Sequence, residues 1–507
     1  MGTTLDALWL GFSVALQPAV LWYAFLGCVV GTLVGVLPGI GPLAGISILL
    51  PITFGLDATN AIVMLAGIYY GSQYGGSTTS ILLRIPGEAS SVMTCIDGNA
   101  MARKGRAGAA LCIAAVGSWI AGTFGVIVLT LIAPPLATIA LKFGPPEYTA
   151  LLALGLLFLA YMSTSSLVRT LLMAALGLLL GMIGIDPLSG HFRFSFDIPE
   201  LGDGIGIVPV AVGLFGLGEI LATPSHTVTG EVVRPKLREL WPNREEWRQS
   251  AMPIARGSVM GFLIGIIPGS AHIISSFLSY AVEKKVSKHP EEFGHGAVAG
   301  VAGPESANNA ASTGAFVPML ALGIPTGPVT AVLMAALMIH GVPPGPTLVN
   351  DHPDVFWGFV ASMYVGNLML LALNLPLVGL FVNLLRIPYA YLYPLIIMFC
   401  VIGVYEVAHS IVDVWIMLIM GVVGYALKKF SFDPAPLVLG LVIAPILEMS
   451  LRQSLIMSDG NWLIFVTRPI AGTLMAVCAV LLVMSAISMV NARRDWRAKM
   501  AAEVGES

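Results

Sequence analysis

Charge is what this sequence has least of. Asp, Glu, Lys and Arg together make up 10% of its 507 residues, and no Lys or Arg occurs before Arg84. An ordinary soluble domain carries about a quarter charged residues, so a globule of this length could not clothe its surface with so few. Cysteine is nearly as scarce: Cys28, Cys95, Cys112, Cys400 and Cys478 stand far apart, without a CxxC pair or a zinc spacing, and read as small buried hydrophobes. Missing too are HExxH, a Walker-A GxxxxGK and a GxSxG elbow. Those absences argue against a membrane enzyme and against an ATP-driven pump. With no basic patch or recognition helix, nucleic acid is excluded as a partner. The first basic residue comes too late for a signal-peptide n-region, so the chain is expected to enter a membrane through its own spans.

What the chain has in excess is apolar surface: 57% of its residues are hydrophobic, interrupted by 56 glycines and 33 prolines. Stretches near the roughly 20 residues needed to cross a bilayer begin at Ala15–Leu37 and Ala58–Tyr74. They recur through Ala107–Ala133 and Trp357–Leu385 to Trp462–Val490. Several others are too short to cross alone and lie beside Pro-Gly pairs, as helices broken within a membrane do. The expected fold is an all-α polytopic membrane protein of about 10–12 transmembrane helices, with broken helices and re-entrant segments. Basic residues gather in Arg103–Arg106, in Arg234–Arg248 and in the tail (Arg493, Arg494, Arg497, Lys499), which by the positive-inside tendency face the cytoplasm.

The chain also repeats itself. Gly31-Thr-Leu-Val-Gly35-Val-Leu-Pro38-Gly39 matches Gly261-Phe-Leu-Ile-Gly265-Ile-Ile-Pro268-Gly269 at five of nine positions, 230 residues apart. Further on, Ser77-Thr78-Thr79-Ser80 followed by Ile85-Pro86-Gly87 parallels Ser312-Thr313 followed by Ile324-Pro325-Thr326. With both the linker and the tail cytoplasmic, and one extra span at the end, the halves must have opposite orientation. This is the inverted-topology pattern of secondary transporters. The organisation so read is repeat 1 over 1–230, a cytoplasmic linker over 231–252, repeat 2 over 253–460, an additional helix over 461–492 and a tail over 493–507.

Pro-Gly within an apolar helix frees backbone carbonyls and amides, tolerable in lipid only where protein or a wet cavity receives them. Freed carbonyls can ligate a cation, and a half-helix N-terminus can hold an anion. Pro38-Gly39-Ile40-Gly41 and Pro268-Gly269-Ser270 suit such a role, with sodium at carbonyls near Gly39 and Gly269; a plain kink or close packing at Gly-xxx-Gly is the simpler alternative. Hydroxyls and carboxamides at Ser77–Ser80 and at Asn308, Asn309, Ser312 and Thr313 suit a polyoxygenated anion, or else serve as caps and interhelical bonds. Arg84, Glu88, Asp97 and Glu305 are costly in a bilayer and so are functional candidates. Arg84 could neutralise a substrate carboxylate or pair with Glu88, and Asp97 reads as a loop residue. Glu219 and Glu448 recur near the end of each half, Glu448 with Arg452 one turn on, and read as structural ion pairs. His272 is the one histidine beside a motif.

The stretches GTLVGVLPGIGP, YGGSTTSILLRIPGEASSV, DGNAMARKGRAG, GFLIGIIPG and VAGPESANNAASTGAFVPMLALGIP resemble the large membrane subunit of the bacterial tripartite tricarboxylate transporters, the TctA family, from about residue 10 to 480. The resemblance implies an inner-membrane permease working with a small four-span membrane subunit and a periplasmic solute-binding protein. It implies uptake of a citrate-like carboxylate coupled to a cation, Na+ or H+, with no other cofactor. Arg84 stands where that family's pattern more often has Asn, and Asn99-Ala100 and Thr326-Gly327-Pro328 also depart from it. An added positive charge points to a different carboxylate. The competing class is a passive anion channel or pore.

Overall fold

The computed structural model describes residues 4–37, 41–162, 166–222, 240–269, 271–377 and 389–484. These residues are almost wholly helical. A single two-residue hairpin, β1 (Gly184–Ile185) against β2 (Phe192–Arg193), is the only sheet among them. The first half holds α1 (Thr4–Ala15), α2 (Pro18–Val36), α3 (Gly41–Leu49), α4 (Ala58–Leu83), α5 (Val92–Met101), α6 (Ala107–Ala140), α7 (Pro145–Met162), α8 (Leu167–Gly181) and α9 (Ile207–Ala222). The second holds α10 (Arg244–Gly265), α11 (Ala271–Val286), α12 (Ala299–Gly314), α13 (Phe316–Leu322), α14 (Pro328–Ile339), α15 (Pro353–Asn374), α16 (Tyr389–Ala408), α17 (Ile411–Lys429), α18 (Ala435–Met457) and α19 (Pro469–Met484). Among the described residues five helical stretches are long and apolar enough to cross a membrane: Pro18–Val36, Ala89–Ala140, Pro353–Asn374, Ile411–Lys429 and Ala435–Met457. Eight further apolar helices are shorter.

Local chemistry sets several boundaries. Asp57 caps α4 by accepting from the Asn60 amide at 2.9 Å, and Asn243 and Glu246 form a reciprocal capping box that opens α10. Proline opens α2, α15 and α19, where its missing N–H costs nothing. The sequence placed one span over Ala15–Leu37; Pro18 instead splits α1 from α2. The sequence ended another span at Ala133, but α6 runs on through Pro134 and Pro135 to Ala140. The extra C-terminal helix begins at Pro469 and not at Trp462, because a short turn intervenes, with Arg468 bound to Glu147 at 2.7 Å. The described part of the linker and Arg103–Arg106 meet: Arg106 grips Glu246 through two guanidinium nitrogens. The tail from Arg493 lies outside the described residues.

The interior is apolar and tight, with Phe316 against Tyr69, Tyr70 and Phe359 at centroid distances of 5.1–6.0 Å. All five cysteines are buried and free. The exterior is apolar as well: Trp415, Ile419 and Val422 share one exposed face of α17, and Leu131 and Val168 are exposed elsewhere. Such a surface needs lipid around it.

Two helix pairs form the centre. Gly27, Gly31 and Gly35 of α2 press on α4; a Cβ at each would come within 2.2, 2.4 and 2.1 Å of the carbonyl oxygens of Met64, Ile68 and Ser72. Gly257, Gly261 and Gly265 of α10 press on α12 in the same way, 2.5, 2.1 and 2.3 Å from the oxygens of Gly303, Ala307 and Ala311. Small residues here let backbones touch. The packing reading of these glycines therefore holds, whatever else the breaks beyond them do.

Candidate functional site

Both helix runs end in a left-handed turn just before Ile-Pro. Arg84 closes α4 with φ 60°, its amide donating to Ser80 O at 3.2 Å; Gly323 closes α13 with φ 69°, its amide donating to Met319 O at 3.2 Å. Glycine adopts that conformation freely, whereas a side chain resists it by about 1–2 kcal/mol. The Arg84 side chain is exposed and makes no ion pair among the described residues, so the pairing with Glu88 does not form.

Beyond these turns the chain folds back onto the glycine-packed pairs. Gly87 lies against α2, where a Cβ would approach Gly35 O to 2.4 Å. In the other half the Gly269 amide donates to Thr326 O at 2.7 Å, joining the breaks at Pro268-Gly269 and Pro325-Thr326. Thr326 is buried, its hydroxyl 3.4 Å from Ala315 O and from Thr330. A cavity of about 20 Å³ adjoins this junction, lined by Tyr69, Gly269, His272, Thr326, Gly327 and Thr330 among others, room for about one water or one bare cation. Pro38, Gly39 and Ser270 lie outside the described residues. Gly41 opens α3 with φ 63° and nothing crowding it, and Pro86 is exposed.

A polar seam runs where α4 and α5 meet α12. Ser77 Oγ lies 2.5 Å from Glu305 Oε2, and Thr94 donates to Glu305 Oε1. Asn308 Nδ2 donates to Glu88 Oε1 at 3.1 Å, and Ser90 hydrogen-bonds the same oxygen. Asn309 donates to Ser118 Oγ of α6 at 2.7 Å. Every one of these side chains is buried. The residues joined stand about 190–230 positions apart in sequence, so the seam joins one half to the other.

Most of the remaining polar residues singled out in the sequence reach carbonyls of their own helix, Ser80 bonding the Ser91 hydroxyl as well. Thr78 reaches Tyr74 O at 3.4 Å, Ser80 reaches Gly76 O at 2.8 Å, Ser312 reaches Asn308 O at 3.1 Å and Thr313 reaches Asn309 O at 3.2 Å. Thr79 donates to Val36 O at 2.8 Å, taking up a carbonyl at the end of α2. Thr78 and Ser77 also line a cavity of about 10 Å³ with Tyr74, Ser118 and Asn374. That space holds no more than a water, so this conformation is closed around the seam. Asp97 is no loop residue. It sits in α5, fully buried, and accepts from the amides of Gly294, Gly296 and Ala297 at 2.7–2.9 Å and from Tyr280 at 2.8 Å. This carboxylate ties the α11–α12 connection to α5.

The sequence did not single out Gln73, Thr94, Ser118, Asn367 or Asn374. Asn367 accepts from Tyr74 Oη at 2.8 Å and donates to Trp119 O at 2.9 Å; Asn374 donates to Thr32 at 3.4 Å. Two asparagines seven residues apart in the apolar α15 were the available signal.

The chain matches the family model described as tripartite tricarboxylate transporter TctA family over residues 21–439. It is 49% identical over 486 residues to the Agrobacterium vitis "Uncharacterized 52.8 kDa protein in TAR-I ttuC' 3'region", covering 96% of this chain and 97% of that one. It is 47% identical over 235 residues to the "Uncharacterized protein in TAR-II ttuC' 3'region" of the same organism, covering 46% of this chain and 97% of that one. No solved structure matches.

Proposed function

The chain belongs to the tripartite tricarboxylate transporter TctA family, and on that premise we propose that it is the large permease subunit of a binding-protein-dependent secondary transporter that imports a carboxylate by cation symport. Membership makes it a multi-pass membrane protein of a transporter family, not an enzyme. Its place is the bacterial inner membrane, beside a small four-span subunit, with a periplasmic solute-binding protein that delivers the substrate.

The observation that carries this reading is the buried polar seam. In a chain with so little polarity, Ser77, Glu88, Thr94, Glu305, Asn308 and Asn309 converge from both halves, buried between apolar helices where polar groups are kept for function. The carboxylate settles between two inverted repeats, among Ser77, Thr78, Thr79, Ser80, Arg84, Asn308, Asn309, Ser312 and Thr313. Arg84, unpaired and at the exposed end of α4, offers its guanidinium fork to a carboxylate as it arrives. A coupling cation rests on backbone carbonyls near Gly269 and, by the repeat, near Gly39. Because the seam is closed, one part must move against the rest to admit and release substrate.

Reconstitution of the chain with both partners in liposomes tests this. Radiolabelled mono-, di- and tricarboxylates, screened first on the solute-binding protein, should include one that accumulates saturably and only under an ion gradient. Uptake unaffected by collapse of both the sodium and the proton gradient would sink the coupling, and a steady unsaturable conductance would make the chain a pore.

A further inference from the structure

Two serine hydroxyls of the seam each stand between a buried carboxyl group and a second oxygen. Ser77 Oγ lies 2.5 Å from Glu305 Oε2 and also 3.0 Å from Gln73 O. Ser90 Oγ contacts Glu88 Oε1 and also stands 3.3 Å from Gln73 Oε1. A serine hydroxyl carries one proton, and a carboxylate or carbonyl carries none to give. The seam can be wired in either protonation state. With both glutamates ionised, each serine gives its proton to the carboxylate, while Gln73 O keeps the Ser77 amide one turn on in α4 and the Gln73 carboxamide can turn its Nε2 towards Ser90. With both protonated, Glu305 donates to Ser77, which donates to Gln73 O, and Glu88 donates to Ser90, which donates to Gln73 Oε1.

Burial favours the protonated state. Glu305 is 1% exposed and Glu88 8% exposed, and neither forms an ion pair among the described residues. Two ionised carboxylates so placed, with no cation beside them, would be held at high cost. The cations nearby are committed elsewhere: Arg256 of α10 forks onto Glu283 of α11, Arg84 is exposed, Lys284 and Lys285 lie exposed at the end of α11, and His272 sits beside Gly269. The other titrating groups on the surrounding helices are Tyr69, Tyr70 and Tyr74 of α4, Cys95 and Asp97 of α5, Cys112 of α6 and Tyr280 of α11. Asp97 and Tyr280 bond one another. Asp97 is itself held by three amides. Two further buried atoms in the cluster, Gln73 Nε2 and Asn308 Oδ1, have no partner. Asn308 Oδ1 belongs to the carboxamide whose Nδ2 meets Glu88, so a protonated Glu88 supplies the missing donor when that carboxamide turns over.

We propose that Glu305 and Glu88 form a proton-binding site whose proton travels with the carboxylate, an inference that rests on the transport reading above. Outward-facing, Glu305 takes a proton from the periplasm and becomes the donor that joins α12 to Ser77 of α4. Inward-facing, that O–H bond breaks and the proton leaves to the cytoplasm. Nothing is oxidised or reduced.

Infrared spectra of the purified full-length protein at neutral pH test the site without substrate. The wild type should show the C=O stretch of a protonated carboxylic acid, diminished by Glu305→Gln and by Glu88→Gln. Spectra identical in this band for wild type and both variants would overturn the site. Sodium-free proteoliposomes holding all three components, loaded outside with radiolabelled citrate or whichever carboxylate of the panel the binding protein retains, test the coupling. An acid-outside gradient should raise accumulation about tenfold per pH unit for one proton. Glu305→Gln should fall to the level without a gradient, and Glu305→Asp should restore part of the response. Accumulation that follows sodium alone would overturn the proton site's role and leave the transport reading standing. No accumulation under either gradient would overturn the transport reading itself, whatever the infrared band shows.

Discussion

The pair α2/α4 and the pair α10/α12 are built on one plan and finished differently. In each, three glycines spaced four apart bring backbones into contact, and a left-handed turn stops the run ahead of Ile-Pro. What differs is the residue at the stop, Arg84 in one half and Gly323 in the other, and the polar groups carried along the way. The first pair supplies hydroxyls and the amide of Gln73; the second supplies Glu305 and two asparagines. The scaffold therefore tolerates divergence only where a side chain does not lie between touching backbones. Chemistry has been placed on the faces that the packing leaves free.

The harshest way to break this likeness is to fill the glycine seams. Gly31→Leu and Gly261→Leu should both fail to give folded protein, since even a methyl group would meet Ile68 O and Ala307 O at 2.4 and 2.1 Å. The milder Gly31→Ala and Gly261→Ala should each cost about 1–3 kcal/mol, read as matching losses in thermal unfolding of the detergent-solubilised protein. A seam that accepted Ala without loss on one side alone would end the comparison.

Next in size are the polar groups. Asn308→Ala removes a donor that spans the halves and leaves Glu88 with one partner fewer. Losing a buried hydrogen bond to a charged or strongly polar group costs about 1–3 kcal/mol, so uptake should drop about tenfold or more. Thr78→Ala removes a hydroxyl whose bond at 3.4 Å is to its own helix, and should cost less. Initial rates in reconstituted vesicles rank the two. Equal and full activity in both variants would remove the site from this seam.

The scaffold was far more legible in the sequence than the contacts. Apolar runs and paired glycines announce helices because lipid leaves the backbone no other option, and Gly31/Gly35 against Gly261/Gly265 is visible as plain identity. Ser77–Ser80 was matched with Ser312-Thr313, yet the packing aligns them otherwise. Gly75 meets Thr32 O as Gly314 meets Phe262 O, and Ile85-Pro86 lies as far past the first glycine as Ile324-Pro325 lies past the second. By that register Gln73 and Tyr74, one turn earlier, correspond to Ser312 and Thr313. A stretch of Ser and Thr resembles any other such stretch, whereas a glycine against a backbone has one place to be. The bonds Glu305–Ser77 and Glu88–Asn308 depend on how segments more than two hundred residues apart come together, which no local pattern encodes.

A smaller effect sharpens the difference at the stop. Arg84→Gly should raise stability by up to about 1–2 kcal/mol, the cost of a side chain in the left-handed region, while lowering uptake if the guanidinium receives the substrate. Gly323→Ala should go the other way, and by more, because its Cβ would also meet Pro344 O at 2.6 Å. Unfolding midpoints and uptake rates of the two variants, measured side by side, separate backbone strain from charge. An Arg84→Gly protein that is both no more stable and fully active would leave the residue without a role.

The faintest signal comes from the ends of the two halves, where each lends an acid to the other's cation. Lys428 binds Glu219, and Arg193 forks onto Glu448 at 2.7 and 3.1 Å. Arg452 joins Glu448 at 3.0 Å, the ion pair the sequence suggested, and also reaches Asp186 in the β-hairpin at 2.9 Å. The Leu188 amide, the Arg452 guanidinium and the Ser189 amide hold the Asp186 carboxyl well below the usual aspartate range. A carboxyl depressed in the folded state stabilises it fully above its unfolded value of about 3.9 and loses that effect as pH falls through the folded value. Unfolding midpoints of wild type should therefore decline below about pH 4 more steeply than those of Asp186→Asn. At neutral pH the variant should be the less stable of the two, and the curves should draw together in acid. Parallel curves over that window would mean that Asp186 adds nothing as an ionised group, and that the halves are joined here through Glu219–Lys428 and Arg193–Glu448 alone.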